Sequence, residues 1–480
     1  MTPRWARLRL AAPSRAHHGL VALGACLLLL AGVCSGAEVD WLLTARYVIT
    51  MDAQRRVIED GAVAVRENRI VAVGSRAELV ANHQAKQRLD FPNGLLAPGL
   101  INTHTHAAMS LFRGLADDLR LQDWLEKYIF PAEAKTVTPE FVRWGTRLAC
   151  LEMLQGGITT YADMYYFEEV VAEATREMGM RGVLGETIID SSSPDAKTPE
   201  AAMEYTARFI EKYRNDDLVV PAVAPHAIYT NSKQTLQACR KLANRYSVPL
   251  LMHAAETRPE RDEAMAKWSA TPVQALDAWG VLSGRTLLAH GVWLNERDME
   301  ILRARGAGVA HCPSSNMKLS SGIAPVVRLL KAGIAVGLGT DGVAGSNNDL
   351  NLFEEMDLAA KLAKVSSGDP QALPAATVLE LATIGGARAL GLADRTGSLE
   401  PGKLSDIVAV DLSQPHAQPL YDVVSQFVYA LKASDVSMVM VDGKLRVKDG
   451  AWTGPDSGEI LARSNEIAVR VRQVVVPGRR

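Results

Sequence analysis

Cysteine is scarce in this chain: five in 480 residues, with Cys26 and Cys34 near the N-terminus and Cys150, Cys239 and Cys312 far apart in the rest. That spacing excludes a disulfide-built scaffold, and the three later cysteines read as buried thiols. Blocks of like charge are missing too. Lys and Arg total 52 against 54 Asp and Glu, with no basic run, so nothing points to a nucleic-acid backbone or an anionic membrane surface as partner. There is no low-complexity stretch and no repeat of solenoid period, which excludes disordered and repeat architectures. What is present is ordinary globular composition, 48% hydrophobic and 22% charged, enough for a large core and more than one domain. A small-molecule partner is the class left standing.

Long apolar runs are absent with one exception. Gly19 to Val33 is a 15-residue run preceded by Arg4, Arg7, Arg9 and Arg15, with no acid and no Lys in the first 37 residues. It falls short of the roughly 20 residues that a spanning helix needs. The expectation is a signal peptide over residues 1–37, with Ser35 and Ala37 forming a small-residue cleavage site after Ala37. The mature protein is then exported, in a periplasm, with no transmembrane span and a formal charge of −6 in place of −2. The alternative is a membrane anchor, through an uncleaved leader or a lipidated Cys34 or Cys26, although Ala31-Gly32-Val33 is a poor lead-in to a lipidated Cys.

From Glu38 to Leu89, short β-rich runs such as Tyr47-Val48-Ile49-Thr50 and Arg69-Ile70-Val71-Ala72-Val73 alternate with turn residues. The same texture returns after Gly397, in Ser405 to Val410 and Ser437 to Gly443. The expected arrangement is an α/β chain in which residues 38–97 and 396–480, the latter with a C-terminal tail, build one small β-sandwich. Residues 98–395 are inserted between them. That middle alternates apolar runs with amphipathic helical stretches, the pattern of a parallel sheet covered by helices. Its strand candidates end near His104, Asp163, Ile188, Pro225, His253, His290, His311 and Asp341, which makes eight over about 240 residues and predicts a (β/α)8 TIM barrel. One helix shows its caps: Thr138 as N-cap, Pro139 first, Glu140 at the positive dipole end, Gly156-Gly157 as the stop.

Four of the eight strand candidates end in His, a fifth is followed directly by His226, and two more end in Asp, at the barrel end that builds active sites. On a strand, alternate side chains share a face, so His104 and His106 point the same way and can share one ion. A His-x-His pair alone is weak evidence. It gains weight because His253, His290 and Asp341 stand at other strand ends. Imidazoles plus a carboxylate suit Zn²⁺, with Fe²⁺ or Mn²⁺ as alternatives, and four protein ligands still leave room for water if zinc expands to five-coordinate.

Several motifs resemble the amidohydrolase superfamily, in its branch of triazine hydrolases and 5-methylthioadenosine/S-adenosylhomocysteine deaminases. They are Pro98-Gly99-Leu100-Ile101-Asn102-Thr103-His104-Thr105-His106, Leu251-Met252-His253-Ala254-Ala255-Glu256, Leu288-Ala289-His290-Gly291, His311-Cys312-Pro313-Ser314-Ser315-Asn316-Met317-Lys318-Leu319, Gly339-Thr340-Asp341-Gly342 and Gly397-Ser398-Leu399-Glu400-Pro401-Gly402-Lys403. The resemblance covers nearly the whole chain after the leader. It implies one divalent ion held by His104, His106, His253 and Asp341, with no carboxylated lysine bridge. It makes Glu256 the proton donor to a ring nitrogen, Asp341 a proton carrier as well as a ligand, and His290 a contact of the attacking hydroxide and the tetrahedral oxygen. Glu133 and His226 fall where relatives bind ribose hydroxyls and base. Read without the family, Glu256 is more readily a solvated loop charge and His226 a satisfied strand-end residue, while Glu133 is equally an acid placed for a helix dipole. His311 reads as structural.

The implied reaction is hydrolytic deamination of an amino-substituted heterocycle, foremost an adenine nucleoside. Relatives that accept S-adenosylhomocysteine place Arg shortly after the third strand and in the loop beyond, whereas this chain has Glu186 and Ser193-Pro194-Asp195-Ala196-Lys197 there. Losing a bidentate clamp for a carboxylate disfavours an anionic tail, which leaves 5-methylthioadenosine or adenosine ahead of S-adenosylhomocysteine. The alternatives are a guanine, pterin or triazine aminohydrolase or chlorohydrolase, and, in another class, a non-catalytic periplasmic binding protein, which would be expected to have lost ligands. A homo-oligomer is compatible with the sequence but not indicated by it.

Overall fold

The computed structural model describes residues 37–475. The expected leader, apart from Ala37, lies outside the described residues.

The chain opens with four strands, Ala37–Ile49 (β1), Val57–Arg66 (β2), Arg69–Ser75 (β3) and His83–Pro98 (β4). Eight more follow: Leu100–Thr105 (β5), Ile158–Tyr165 (β6), Arg181–Ile188 (β7), Val219–Pro225 (β8), Leu250–Ala254 (β9), Thr286–His290 (β10), Gly308–His311 (β11) and Val336–Leu338 (β12). These eight pair in sequence order and all in parallel. Almost every residue in them is buried, as expected of strands covered on one face by helices and on the other by barrel contents.

The barrel closes between β12 and β5. Asp341 N donates to His104 O at 3.0 Å and Thr103 Oγ1 to Leu338 O at 2.8 Å. Glycine makes this approach possible, since a Cβ on Gly339 would lie 2.9 Å from the His104 Cβ. At the Pro98-Gly99 junction a Cβ would strike the Thr159 side chain at 2.1 Å, so the turn from β4 into the barrel also requires Gly.

Helices follow most barrel strands, and the predicted one runs Pro139–Gln155. Thr138 Oγ1 accepts from Phe141 N at 3.2 Å, Gly156 caps the other end, and Phe141, Leu151 and Leu154 are buried. Cys150, Cys239 and Cys312 are buried and unpaired.

The last strands are Ile407–Asp411 (β13), Val436–Val441 (β14), Lys444–Lys448 (β15) and Ala451–Trp452 (β16). They join β1–β4 in one mixed sheet of order β16-β15-β14-β13-β4-β1-β2-β3, in which β1 and β4 pair in parallel. The two chain ends meet where β13 runs antiparallel to β4. The sandwich therefore comes from one continuous sheet rolled onto itself. Ile70 N donates to Lys403 O at 2.9 Å, and the Asn68 amide to Asp442 Oδ1 at 3.1 Å. Leu43, Val63 and Ile70 share a buried cluster with Ile407, Met438 and Met440.

The tail after β16 is a helix, Ser457–Val475, whose apolar stripe Ile460, Ile467 and Val471 is buried. It packs on helices Pro139–Gln155 and Phe130–Thr136, and Arg463 and Arg470 each reach Glu140 at 3.1 Å. Among the described residues no helix is long and apolar enough to cross a membrane.

Candidate active site

The strand ends bring His104, His106, His253 and Asp341 together, with one potential ligand atom of each within 4.8 Å of all the others. His104 lies in β5 and His106 one residue beyond it; His253 lies in β9. β12 stops at Leu338, three residues short of the strand end expected from the sequence. Asp341 sits beyond it with φ +64°, and His290, at the end of β10, has φ +74°. Non-glycine residues in the left-handed region cost of order 1–3 kcal/mol and cluster at functional sites.

Each imidazole is aimed by what holds its far nitrogen. His106 Nδ1 donates to Met164 O at 2.7 Å and His253 Nδ1 to His226 O at 2.9 Å, which leaves both Nε2 lone pairs facing inward, 3.3 Å apart. His104 Nε2 lies 3.2 Å from Asp341 Oδ1 at an angle that makes no hydrogen bond, so it is a buried ring nitrogen without a partner. Burial pushes His104 down to about 4 and holds His253 well below the usual imidazole range, the neutral form that ligates. Burial also opposes charge on His106, yet Asp341, 3.3 Å away, raises it to about 9. Burial disfavours charge on Asp341 too, but the His104 and His106 imidazoles outweigh it and hold the carboxyl well below the usual range. A spot that draws a proton between an imidazole and a carboxylate is one that a cation takes over. The cluster fits a single divalent metal ion by donor set, by convergence and by that preference for positive charge.

Beside the cluster is a pocket whose walls include His106, His253 and Asp341 of the cluster itself. Glu256, Glu133, His226 and His290 line it, with Leu121, Trp124, Phe130, Tyr165 and Leu319 among its apolar walls, and none of its described lining residues is Lys or Arg. The roof is the segment Leu121–Thr136, which carries Glu133 and is latched where Trp124 Nε1 donates to Ala344 O at 2.9 Å. Burial raises Glu256 and Glu133 each to about 7, so near neutral pH each can hold or release a proton. Glu256 Oε2 lies 3.9 Å from His290 Nε2. The His226 ring is kept neutral by burial and by neighbouring imidazoles, down to about 3. Its Nδ1 meets Thr230 Oγ1 at 3.0 Å. Thr230 spends its own proton on Ala227 O, so His226 donates from Nδ1 and presents Nε2 to the pocket as an acceptor.

Two strand-end residues, and Glu186, which lies inside β7 rather than after it, stand apart from this group. His311 is buried outside the four-residue cluster. Asp163 Oδ1 accepts from Thr105 Oγ1 at 2.6 Å and Ala107 N at 2.7 Å, pinning the chain on both sides of His106. Glu186 does not reach the pocket wall, where Thr187 stands instead; it turns to the helix layer and accepts from Glu168 N at 3.0 Å. The case against an anionic tail therefore rests on the absence of cations in the wall, not on an acid placed in it.

Several further side chains support the site. Ser315 Oγ donates to Asp341 Oδ2 at 2.7 Å, Asn316 Oδ1 meets His290 Nδ1 at 3.1 Å, and Glu260 accepts the backbone N–H of Ala255 and Glu256 at 3.1 and 2.7 Å. Ser315 and Asn316 sit inside the motif that follows His311, which was the available signal; Glu260 had none.

Residues 95–446 match the Amidohydrolase family, and residues 61–83 an imidazolonepropionase-like composite domain of bacteria. The chain belongs to the amidohydrolase family. It is 46% identical over 436 residues, 91% of this chain and 99% of the relative, to a 5-methylthioadenosine/S-adenosylhomocysteine deaminase of Syntrophobacter fumaroxidans. A deaminase of the same description from Thermodesulfovibrio yellowstonii is 43% identical over 434 residues, 90% of this chain and 99% of the relative. Among solved structures, an adenosine deaminase from Xanthomonas campestris with bound zinc superposes with TM-score 0.89 at 39% identity, covering 91% of this chain and all of that one. An atrazine chlorohydrolase from Arthrobacter aurescens complexed with zinc superposes at 0.82 and 26% identity, covering 89% of this chain and all of that one. This amidohydrolase is a metal-dependent hydrolase acting on carbon–nitrogen bonds of cyclic amidines.

Proposed function

We propose that this amidohydrolase deaminates adenine nucleosides with a neutral 5′ substituent, 5-methylthioadenosine or adenosine, using one zinc ion, and that it does so after export. The observation that carries the substrate class is the pocket itself. It sets the metal-type cluster beside a buried Glu256 whose carboxyl is raised to about 7, and among the described residues its aromatic and apolar walls hold no cation for a carboxylate tail. Zinc suits three imidazoles and a carboxylate, and two of the similar structures contain it. Export rests on the arginine-led apolar run before Ala37.

His104, His106, His253 and Asp341 would hold the ion. When bound, it supplies a Lewis acid and brings the pKa of water toward ~7. Asp341, steadied through Oδ2 by Ser315, receives the proton of the attacking water and passes it to departing ammonia. Glu256 gives its proton to the ring nitrogen beside the carbon under attack, so that carbon becomes electrophilic, and recovers one from the hydroxyl left on that carbon as the carbonyl forms and ammonia departs. His290, oriented by Asn316, contacts the oxygen that gains negative charge. Glu133 and the acceptor face of His226 bind sugar hydroxyls and base.

The test is ammonia release by zinc-loaded protein from 5-methylthioadenosine, adenosine, S-adenosylhomocysteine, guanine, a pterin and a triazine. The two neutral adenine nucleosides are expected to be turned over fastest. A faster rate with S-adenosylhomocysteine, or activity confined to guanine, the pterin or the triazine, overturns the assignment.

A further inference from the structure

Asp341 and His290 come from different parts of the barrel, yet consecutive residues of one turn grip them. Ser315 holds the Asp341 carboxylate and Asn316 the His290 ring, both from the short helix Pro313–Lys318 after β11. The position of that turn relative to the Asp341 loop is set by a third element. Glu355, wholly buried in helix Leu352–Ser367, accepts the Ser314 backbone N–H on Oε2 at 3.0 Å. Its Oε1 accepts from Asn347 Nδ2, also at 3.0 Å, and the same amide nitrogen donates to Thr340 O at 2.9 Å. Asn347 in turn lies on the loop that leaves Asp341, where its backbone N–H closes on Gly342 O at 3.0 Å.

Among the described residues no Lys or Arg pairs with Glu355. A buried acid without a cation is costly, and an apolar side chain would fill the space with less penalty. The acid is intelligible as two acceptors facing two donors. Glutamine has the same shape but turns an N–H₂ group toward one of those donors.

We infer that Glu355 is a positioning residue of the hydrolytic site: through Ser314 and Asn347 it fixes the turn bearing Ser315 and Asn316 against the loop bearing Asp341. In this way it sets the direction of the Asp341 carboxylate and the His290 ring together. The inference rests on the hydrolytic reading of the site but not on which substrate is used.

The experiment compares Glu355→Gln and Asn347→Leu with the unmodified full chain, loaded with Zn²⁺ for kinetics and with Co²⁺ for visible absorption. Partners that orient metal ligands are worth roughly 10- to 100-fold in activity or metal affinity. E355Q is expected to lower kcat by that factor with KM within about twofold, to shift the Co²⁺ band, and to gain little further loss when combined with N347L. A merely structural role predicts reduced thermal stability with kcat per bound ion and the Co²⁺ spectrum unchanged, and that result overturns the proposal. If E355Q does not fold, N347L alone carries the same comparison, since it removes the bridge from the other side. The spectral arm uses no substrate, so a wrong substrate shows as an inert wild type with the Co²⁺ shift intact.

Discussion

Arg181 and Asp406 form a bidentate ion pair with neither side chain exposed: Nε meets Oδ2 at 2.9 Å and Nη2 meets Oδ1 at 3.2 Å. Arg181 opens β7 of the barrel and Asp406 precedes β13 of the rolled sheet, so the pair fastens the two sheets at the barrel's N-terminal end. Both partners are otherwise satisfied. Arg181 Nη1 donates to Asp217 O at 2.6 Å, and Asp406 also accepts from Asp442 N at 2.9 Å and Thr396 Oγ1 at 3.2 Å.

Removing Asp406 leaves the buried Arg181 only the longer ion-pair contact of Nη2 with Asp442 Oδ1 at 3.4 Å, and breaking a buried pair from one side costs about 3–5 kcal/mol. Asp406→Ala is expected to lose that much in urea denaturation. The double change Arg181→Met with Asp406→Leu, which removes both charges, is expected to recover most of it. A double variant less stable than D406A would show that the pair itself, rather than an orphaned charge, carries the energy.

How far the site could be read beforehand follows from locality. His104 and His106 announce themselves because a two-residue spacing on a strand fixes a common face, and the strand-end positions of His253 and His290 follow from hydrophobic run lengths alone. Asp341 was legible as a residue but not as a conformation, because its left-handed backbone depends on β12 closing against β5. Glu186 shows the opposite limit. Position along a strand puts it near the pocket, but one residue of alternation turns it outward and hands the wall to Thr187. The rolled sheet was visible as two β-rich ends, while its single hydrogen-bonded order and the packing of the C-terminal helix against the roof depend on contacts hundreds of residues apart. Glu355 and Glu260 carry no local mark, since an acid in a helix's first turn reads equally as a dipole partner.

Glu256 supplies the first functional prediction. Glu256→Gln keeps the shape and removes the proton, so kcat/KM is expected to fall about 100- to 10,000-fold while one metal ion per chain is retained. Burial places its pKa at about 7, above the ordinary carboxyl value, and the protonated form is the active one. Activity of the unmodified enzyme should therefore decline as pH rises through about 7, and the residual rate of E256Q should lack that limb. An alkaline limb that persists unchanged in E256Q assigns it to another group.

A second pH effect concerns stability. Glu168 is fully buried with both carboxylate oxygens unpartnered, and burial, followed by the nearby Asp163 and Asp195, raises its pKa well above 4.5. Glu186, beside it, is raised in the same direction by burial and Asp195. The folded state thus holds these protons at pH values where the unfolded chain has released them, so stability falls as pH rises above about 4.5, by at most ~1.4 kcal/mol per pH unit per group. Glu168→Gln is expected to raise the urea midpoint at pH 8 and to flatten its change between pH 5.5 and 8. An equal or steeper pH dependence in E168Q contradicts this account.

Glu133 separates a substrate contact from a helix ornament. It lies in the first turn of helix Phe130–Thr136, where an acid favours the helix dipole, but that role needs exposure to neither pocket nor substrate, and Glu133 is buried against the cavity. Above about pH 7, where the Glu133 carboxyl is ionised, a hydrogen bond to it is worth about 1.5–3 kcal/mol, or roughly 10- to 150-fold. Glu133→Ala should therefore reduce kcat/KM for adenosine by that factor, mainly through KM, because the sugar is remote from the reacting carbon. Free adenine has no hydroxyls for Glu133 to hold, so the rate of ammonia release from it should be the same in E133A and the parent. Equal losses with adenosine and adenine would mean that the substitution disturbs the roof as a whole, and unchanged turnover of adenosine would remove Glu133 from the sugar site.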